Sequence, residues 1–339
     1  MKIGHLDTTK NPILIAEVGN NHEGNVELAK KLITLAATAG ADVVKFQTYK
    51  TENFVRPQDA ERFEKLKKFE LSYAEFETLH KTAQNEGILF LSTPPDLESA
   101  VFLNDLVPAF KIASGDNNFF PLIDKIISFK KPILLSGGLA TLDELKYLKS
   151  YVESKWAALN CSETLAILHC VSAYPVPDNE ANLLAIKELQ TALGGVIGYS
   201  DHTIGITAAF SAFVLGAQIV EKHFTIDNNY SAFRDHQLSA NPDDLTKLVN
   251  MRNQLFQMLG SGAKTLQKCE VSIKEALRRS IVAQKNIKKG AMIEKEDIIW
   301  MRPGSGITPG NEELVIGKMT HRDINQGETI RPEDLGGSI

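Results

Sequence analysis

Two short segments carry imidazole, carboxylate and hydroxyl groups at matching spacing: Ser200-Asp201-His202 and Glu221-Lys222-His223. Alternate residues of an extended strand share a face, so Ser200 goes with His202 and Glu221 with His223. Two imidazoles from neighbouring strand ends suit a divalent metal that keeps positions open for water or substrate. Glu221 is then placed to orient or deprotonate a metal-bound water. A second group of residues is cationic. Lys45 and Lys111 project from apolar runs, and Thr93, Ser114, Ser136 and Ser200 offer hydroxyls at corresponding places. Two ammonium groups ringed by hydroxyls make an anion site for a phosphate or carboxylate, with structural ion pairing as the competing role for each lysine. His169 reads as a packing or supporting residue. Cys161, Cys170 and Cys269 have no paired-ligand spacing and read as chemically inert.

These groups need elements to hold them. Eight apolar runs rich in β-branched residues recur: Ile13–Glu17, Asp42–Phe46, Ile88–Ser92, Ala109–Ala113, Pro132–Ser136, Leu165–Cys170, Val196–Ser200 and Gln218–His223. Helical patterns separate them. Over Asn25–Ala39, Leu28, Leu32 and Leu35 fall on one face and Gly40 follows as a C-cap. Ser72-x-x-Glu75 and Thr141-x-x-Glu144 read as capping boxes that open two further helices. Alternation of strand and helix predicts a parallel sheet, and eight units predict a (β/α)8 TIM barrel, an α/β fold. An open doubly wound sheet would use fewer strands, and no G-x-G-x-x-G supports a dinucleotide fold. The chemistry-bearing residues all fall at the C-terminal ends of the runs, where a barrel places its active site.

The last sixty residues differ, with shorter apolar runs and more Gly and Pro. Ile287-Lys-Lys-Gly290-x-x-Ile293-x-x-Glu296-Asp297-Ile298 returns 37 residues later as Ile324-Asn-Gln-Gly327-x-x-Ile330-x-x-Glu333-Asp334-Leu335. The repeat predicts a small pseudo-symmetric domain of turns and short strands. The expected divisions are a barrel over 1–262, a linker over 263–279 and the small domain over 280–339.

The whole-chain numbers fit an ordinary globular protein. With 339 residues, 43% hydrophobic and 23% charged, the chain can bury full cores. A formal charge of −5 without a long basic run argues against nucleic acid as a partner. No signal-peptide pattern or membrane span is visible, and three cysteines make no disulfide framework, so the expected location is cytoplasmic.

The same residues carry a family resemblance. Ile15-Ala-Glu-Val-Gly-Asn-Asn-His22, Val44-Lys-Phe-Gln47, Leu91-Ser-Thr-Pro94, Phe110-Lys-Ile-Ala-Ser-Gly115, Leu135-Ser-Gly-Gly138, Gly198-Tyr-Ser-Asp-His202, Glu221-Lys-His-Phe224 and Asp235-His236 resemble the sialic acid synthase family. Arg302-Pro-Gly-Ser-Gly306 resembles that family's antifreeze-like (SAF) domain. The likeness spans nearly the whole chain. It implies condensation of phosphoenolpyruvate with an N-acetylated hexosamine aldehyde, giving a nonulosonic acid and phosphate. It also implies Mn2+ or Mg2+ and a domain-swapped homodimer. Carried over residue by residue, His202 and His223 hold the metal. Lys45, Thr93, Lys111, Ser114, Ser136 and Ser200 hold phosphoenolpyruvate. Glu17, Gln47, Tyr174 and Asp235 position the sugar, and Arg302 reaches the acyl group across the dimer. Glu17 and Glu221 join the two histidines as the reacting set. Ser172 stands where some sialic acid synthases carry Asn, on the phosphate side, and Glu52–Phe69 has no clear counterpart. The sugar stays open among N-acetylmannosamine, its 6-phosphate and a 2,4-diacetamido-trideoxy hexose. Competing readings are another metal-dependent phosphoenolpyruvate synthase or aldolase, and a non-enzymatic surface-binding protein.

Overall fold

The computed structural model describes residues 1–336; the final three residues of the expected small domain, 337–339, lie outside the described residues. The chain divides into two compact units, Met1–Gly260 and Ser261–Ile339. No helix among the described residues is long and apolar enough to cross a membrane.

The first unit is a barrel. Its strands are β1 (Ile13–Gly19), β2 (Val43–Gln47), β3 (Leu89–Thr93), β4 (Phe110–Ile112), β5 (Ile133–Ser136), β6 (Leu165–Cys170), β7 (Val196–Asp201) and β8 (Ile219–His223). All neighbours pair in parallel, in the spatial order β3-β2-β1-β8-β7-β6-β5-β4. β3 and β4 lie side by side without a ladder and complete the ring. Sequential strands thus pair, and closure sets β8 against β1 with Glu221 opposite Ile15 and His223 opposite Glu17. The strands are buried on both faces, which explains their near-continuous apolar composition.

The helices form where the patterns placed them. Val26–Thr38 is capped by Asn25, whose side chain accepts from the Leu28 amide, and Gly40 follows at φ +86°. Its buried stripe is Leu28, Ala29, Leu32, Ile33 and Ala36; Leu35 is only half-buried. Both capping boxes are present, opening Tyr73–Asn85 and Leu142–Ala158. The helix Ala60–Phe69 carries a short apolar stripe, Phe63, Leu66 and Phe69, of which Phe69 is buried and the other two are half-buried. Contacts from the segment after β2 hold its C-terminal end as well. Tyr49 donates to the Leu66 carbonyl (3.1 Å), and the Thr51 amide donates to Glu70 (2.9 Å).

In the second unit the 37-residue repeat is a structural repeat. Antiparallel β9 (Ser280–Ala283) and β10 (Ile298–Met301) precede a shorter pair, Met319–Thr320 with Leu335–Gly336. Ile287 and Ile324 exchange both backbone hydrogen bonds, each 2.8 Å. Asp297 and Asp334 play equivalent parts, accepting from the amides of Glu294 and Arg331 at 2.9 Å each. Gly290 and Gly327 take the same left-handed turn at φ +80°, which a side chain would strain. Ile281, Ile293, Ile298, Ile307 and Ile330 fill a separate small core.

Candidate active site

The C-terminal strand ends enclose a cavity of about 240 Å³. Thirteen of the fifteen expected site residues line it: Glu17, Lys45, Gln47, Thr93, Lys111, Ser114, Ser136, Ser172, Tyr174, Ser200, His202, Glu221 and His223. Asp235 and Arg302 do not. Asp235 is buried on the short helix Arg234–Leu238 with Oδ1 3.3 Å from Arg234 Nε, and Arg302 is an exposed residue of the second unit.

Register explains the floor of the cavity. β1, β2 and β8 are adjacent, so Glu17, Lys45 and Glu221 meet. Lys45 Nζ lies 2.6 Å from Glu17 and 3.6 Å from Glu221, and it donates to Thr93 at 3.0 Å. Lys111 donates to Ser136 (2.7 Å) and lies 3.8 Å from Glu221. Ser200 donates to Glu221 at 3.0 Å. Both lysines are therefore ion-paired here, and all four charged groups are buried. Burial pushes the Glu17 carboxyl up to about 7 against the pull of Lys45, with Glu221 adding to the rise. Burial opposes charge on Glu221 too, but Lys111 and Lys45 outweigh it and hold that carboxyl below its ordinary range. Burial lowers Lys111, which Glu221 only partly offsets, whereas two carboxylates keep Lys45 above its usual value.

A second wall is built around Gly138. A Cβ there would sit 2.4 Å from Ser172 Oγ and 2.6 Å from Ser114 Oγ. Only glycine lets two hydroxyls approach this backbone. Asn117, which the sequence reading passed over, fixes the turn by donating to the Gly138 carbonyl (2.9 Å). The Ser172 hydroxyl is buried without a partner, as a hydroxyl awaiting an anion would be.

The imidazoles come from the C-terminal ends of β7 and β8. His202 and His223 have ring centroids 5.3 Å apart. Tyr174 stacks on His202 at 4.2 Å and meets His223 edge-on, and the Arg234 guanidinium lies over the Tyr174 ring at 4.6 Å. His202 Nδ1 is bonded to the Val171 carbonyl (2.8 Å), which leaves Nε2 for a ligand. His223 Nδ1 is buried and unpartnered. Burial, then the charges on His202 and Lys45, hold His223 far below its ordinary value and so neutral, the form that ligates a metal. Among the described residues no three His, Cys, Asp or Glu side chains form a metal-binding group. The free Nε2 of His202 and the neutral His223 fit an ion held by two imidazoles, with water or substrate supplying the rest.

A model described as NeuB family matches residues 32–264, and one described as SAF domain matches residues 278–336. The chain belongs to the NeuB family. It is similar to an uncharacterized protein of Methanocaldococcus jannaschii, 40% identical over 96% of this chain and 94% of that one. It is also similar to the N,N'-diacetyllegionaminic acid synthase of Campylobacter jejuni, 37% identical over 95% of this chain and 99% of that protein. Among solved structures, the N-acetylneuraminic acid (sialic acid) synthetase of Leptospira borgpetersenii, in complex with citrate, superimposes with a TM-score of 0.74. That pair is 33% identical, covering 82% of this chain and 96% of the other. This NeuB-family chain is an enzyme, a phosphoenolpyruvate-dependent, C–C bond-forming transferase.

Two features of the NeuB-family site depart from the sequence reading. Cys170, expected to be inert, forms part of the cavity wall with Sγ 3.8 Å from His202 Nδ1. Burial raises its thiol pKa, but His202 more than offsets this, so the thiol lies below its ordinary value. Spacing rules could not find it, because its neighbours come from other strands. Asn20, beside Gln47, donates to it at 3.1 Å and orients its amide. His169 packs on Tyr199 and bonds the Ala181 carbonyl, a supporting residue as expected.

Proposed function

We propose that the enzyme condenses phosphoenolpyruvate with the open-chain aldehyde of an N-acetylated amino hexose, giving a nonulosonic acid and phosphate. The observation that carries this reading is one cavity with two unlike walls. Lys45, Lys111 and the orphan Ser172 hydroxyl beside Gly138 suit a phosphorylated anion, and the imidazole pair His202 and His223 lines the same cavity. Thr93, Ser114, Ser136 and Ser200 complete the anion wall. Glu17, Gln47, Tyr174 and Asp235 surround the sugar.

C3 of phosphoenolpyruvate bonds to the aldehyde carbon, whose oxygen becomes a hydroxyl by taking up a proton. C2 is left electron-deficient and gains a water, which gives up its proton. The C2–O bond to phosphate then breaks, phosphate leaves, and the C2 hydroxyl becomes a ketone. Glu221, an ionised carboxylate beside Ser200, is the group that accepts the proton of that water. Glu17, with its carboxyl near 7, can carry a proton at neutral pH and stands next to it across Lys45. Lys45 and Lys111 hold the carboxylate and phosphate charges fixed, so little reorganisation accompanies reaction. A divalent ion, Mn2+ or Mg2+, held by His202 and His223 would supply Lewis acidity toward the aldehyde.

Similarity to the Campylobacter jejuni synthase supports a 2,4-diacetamido-trideoxy hexose as the sugar, with N-acetylmannosamine as the second reading, which similarity to the Leptospira synthetase supports. Arg302 serves the partner's cavity in a domain-swapped homodimer. Its Nε is committed to the Leu277 carbonyl (2.9 Å), which fixes the guanidinium and leaves its outer nitrogens free to donate. Ile299, Trp300 and Met301 beside it are exposed apolar residues suited to a subunit contact. Free cysteines at 161, 170 and 269 suit a reducing cytoplasm. The test is phosphate release measured across a panel of amino sugars with and without Mn2+. Release that requires phosphoenolpyruvate, one sugar and metal together is expected; release with no sugar on the panel would overturn the reading.

A further inference from the structure

Between the barrel strands and their helices the layer is apolar, yet one fully buried ion pair lies there. Lys222 and Asp201 are register partners on β8 and β7, both completely buried, with Nζ 3.0 Å from Oδ2. They point outward, because the residues alternating with them, Ser200, Glu221 and His223, line the cavity. On its other side Lys222 faces Ala16 of β1, whose methyl leaves room for the long side chain.

Replacing such a pair by apolar residues of similar volume is often neutral or stabilising, so its presence is weak evidence for a stabilising role. Its hydrogen bonds point to another role. Asp201 Oδ1 accepts from the Thr203 amide (2.8 Å) and from Tyr199 (3.1 Å). Lys222 donates to the Thr203 carbonyl at 2.6 Å. Both ends of Thr203, the residue that follows His202, are thus tied to the pair. Lys222 itself directly precedes His223. One buried contact therefore links the turn carrying one imidazole to the strand carrying the other.

We propose that the Lys222–Asp201 pair is a positioning device that holds His202 and His223 at the separation a divalent metal requires. Neither residue touches substrate or metal; each acts through the backbone beside a ligand. The proposal rests on the reading that the two histidines bind metal. Supporting contacts of this kind change metal affinity by about ten- to a hundredfold when removed.

The experiment measures Mn2+ binding to the full chain by electron paramagnetic resonance of free Mn2+, with thermal unfolding recorded on the same samples. His202→Ala tests the underlying reading: if it binds Mn2+ as the native chain does, the metal assignment itself fails. Lys222→Met leaves Asp201 as a buried unpaired charge and can fail by misfolding, so the deciding variant is the double change Lys222→Met with Asp201→Leu. This variant removes both charges and keeps the volume. The expected result is a folded protein whose Mn2+ affinity falls at least tenfold. Phosphoenolpyruvate binding without metal, measured by calorimetry, should change less than threefold. A folded double variant with native Mn2+ affinity overturns the proposal. So does a double variant that does not fold, because the pair would then belong to stability alone.

Discussion

Lys45→Met removes the ammonium group that stands between two buried carboxylates and keeps an unbranched chain of similar length. In the native protein Lys45 contacts Glu17 at 2.6 Å, Glu221 at 3.6 Å and Thr93 at 3.0 Å. Two effects follow, and they separate experimentally. A lost hydrogen bond to a charged group is worth about 1.5–3 kcal/mol, which predicts phosphoenolpyruvate binding weaker by about ten- to a hundredfold. Breaking a buried ion pair costs about 3–5 kcal/mol of stability because a carboxylate is left without its counter-charge. That second cost has a pH signature. Without Lys45, burial and mutual repulsion raise the carboxyl pKa of Glu17 further in the folded state only. The folded variant then retains a proton that the unfolded chain has released above its ordinary value of 4.5. The native folded chain also keeps this proton up to about 7, so stability relative to the native protein falls only as pH rises above 7, and this part of the deficit, present at pH 8, is absent at pH 5. Urea unfolding followed by circular dichroism at both pH values, with calorimetric titration of phosphoenolpyruvate, measures the two effects. Unchanged phosphoenolpyruvate affinity, or a stability deficit independent of pH, would refute the reasoning.

Other perturbations address other parts of the molecule. His223→Ala should abolish stoichiometric Mn2+ binding and metal-stimulated phosphate release with the fold intact; full metal-stimulated turnover in that variant would remove His223 from the metal site. Burial lowers the pKa of His22 from its ordinary 6.5 to about 4, so the folded state keeps it neutral. The stability it contributes is present above pH 6.5 and is lost as pH falls toward 4, by up to about 3 kcal/mol, so His22→Gln should flatten the acid limb of a urea-stability profile. Arg302→Ala should lose sugar affinity while phosphoenolpyruvate binding persists. Mixing it with His202→Ala chains should restore activity to about half per heterodimer if the arginine serves the partner's site, because one hybrid site then has neither defect. Verified heterodimers without recovery would assign Arg302 to its own subunit or to no catalytic part.

Period and spacing alone determined much of this protein. Alternation along β7 and β8 placed Ser200, Glu221 and His223 on one face, since successive side chains of a strand must point opposite ways. Eight strand–helix units left a closed barrel as the economical way to bury strands that are apolar on both faces, and closure made β7 and β8 neighbours. The repeat at 37 residues was legible because equivalent turns need the same glycine and the same capping aspartate. What depends on register across strands was not legible. The contact of Glu17, Lys45 and Glu221 arises only when the ring closes β8 onto β1, joining residues about two hundred positions apart, and no local pattern encodes that pairing. Cys170 gained a role only from the neighbours that closure brought to it. The helix Ala60–Phe69 shows only a short stripe, Phe63, Leu66 and Phe69, of which one residue is buried, and the contacts from Tyr49 and Thr51 that hold its C-terminal end exist only in the tertiary structure. The close approach at Gly138 is a contact between three loops, and only tertiary structure decides where a missing Cβ matters.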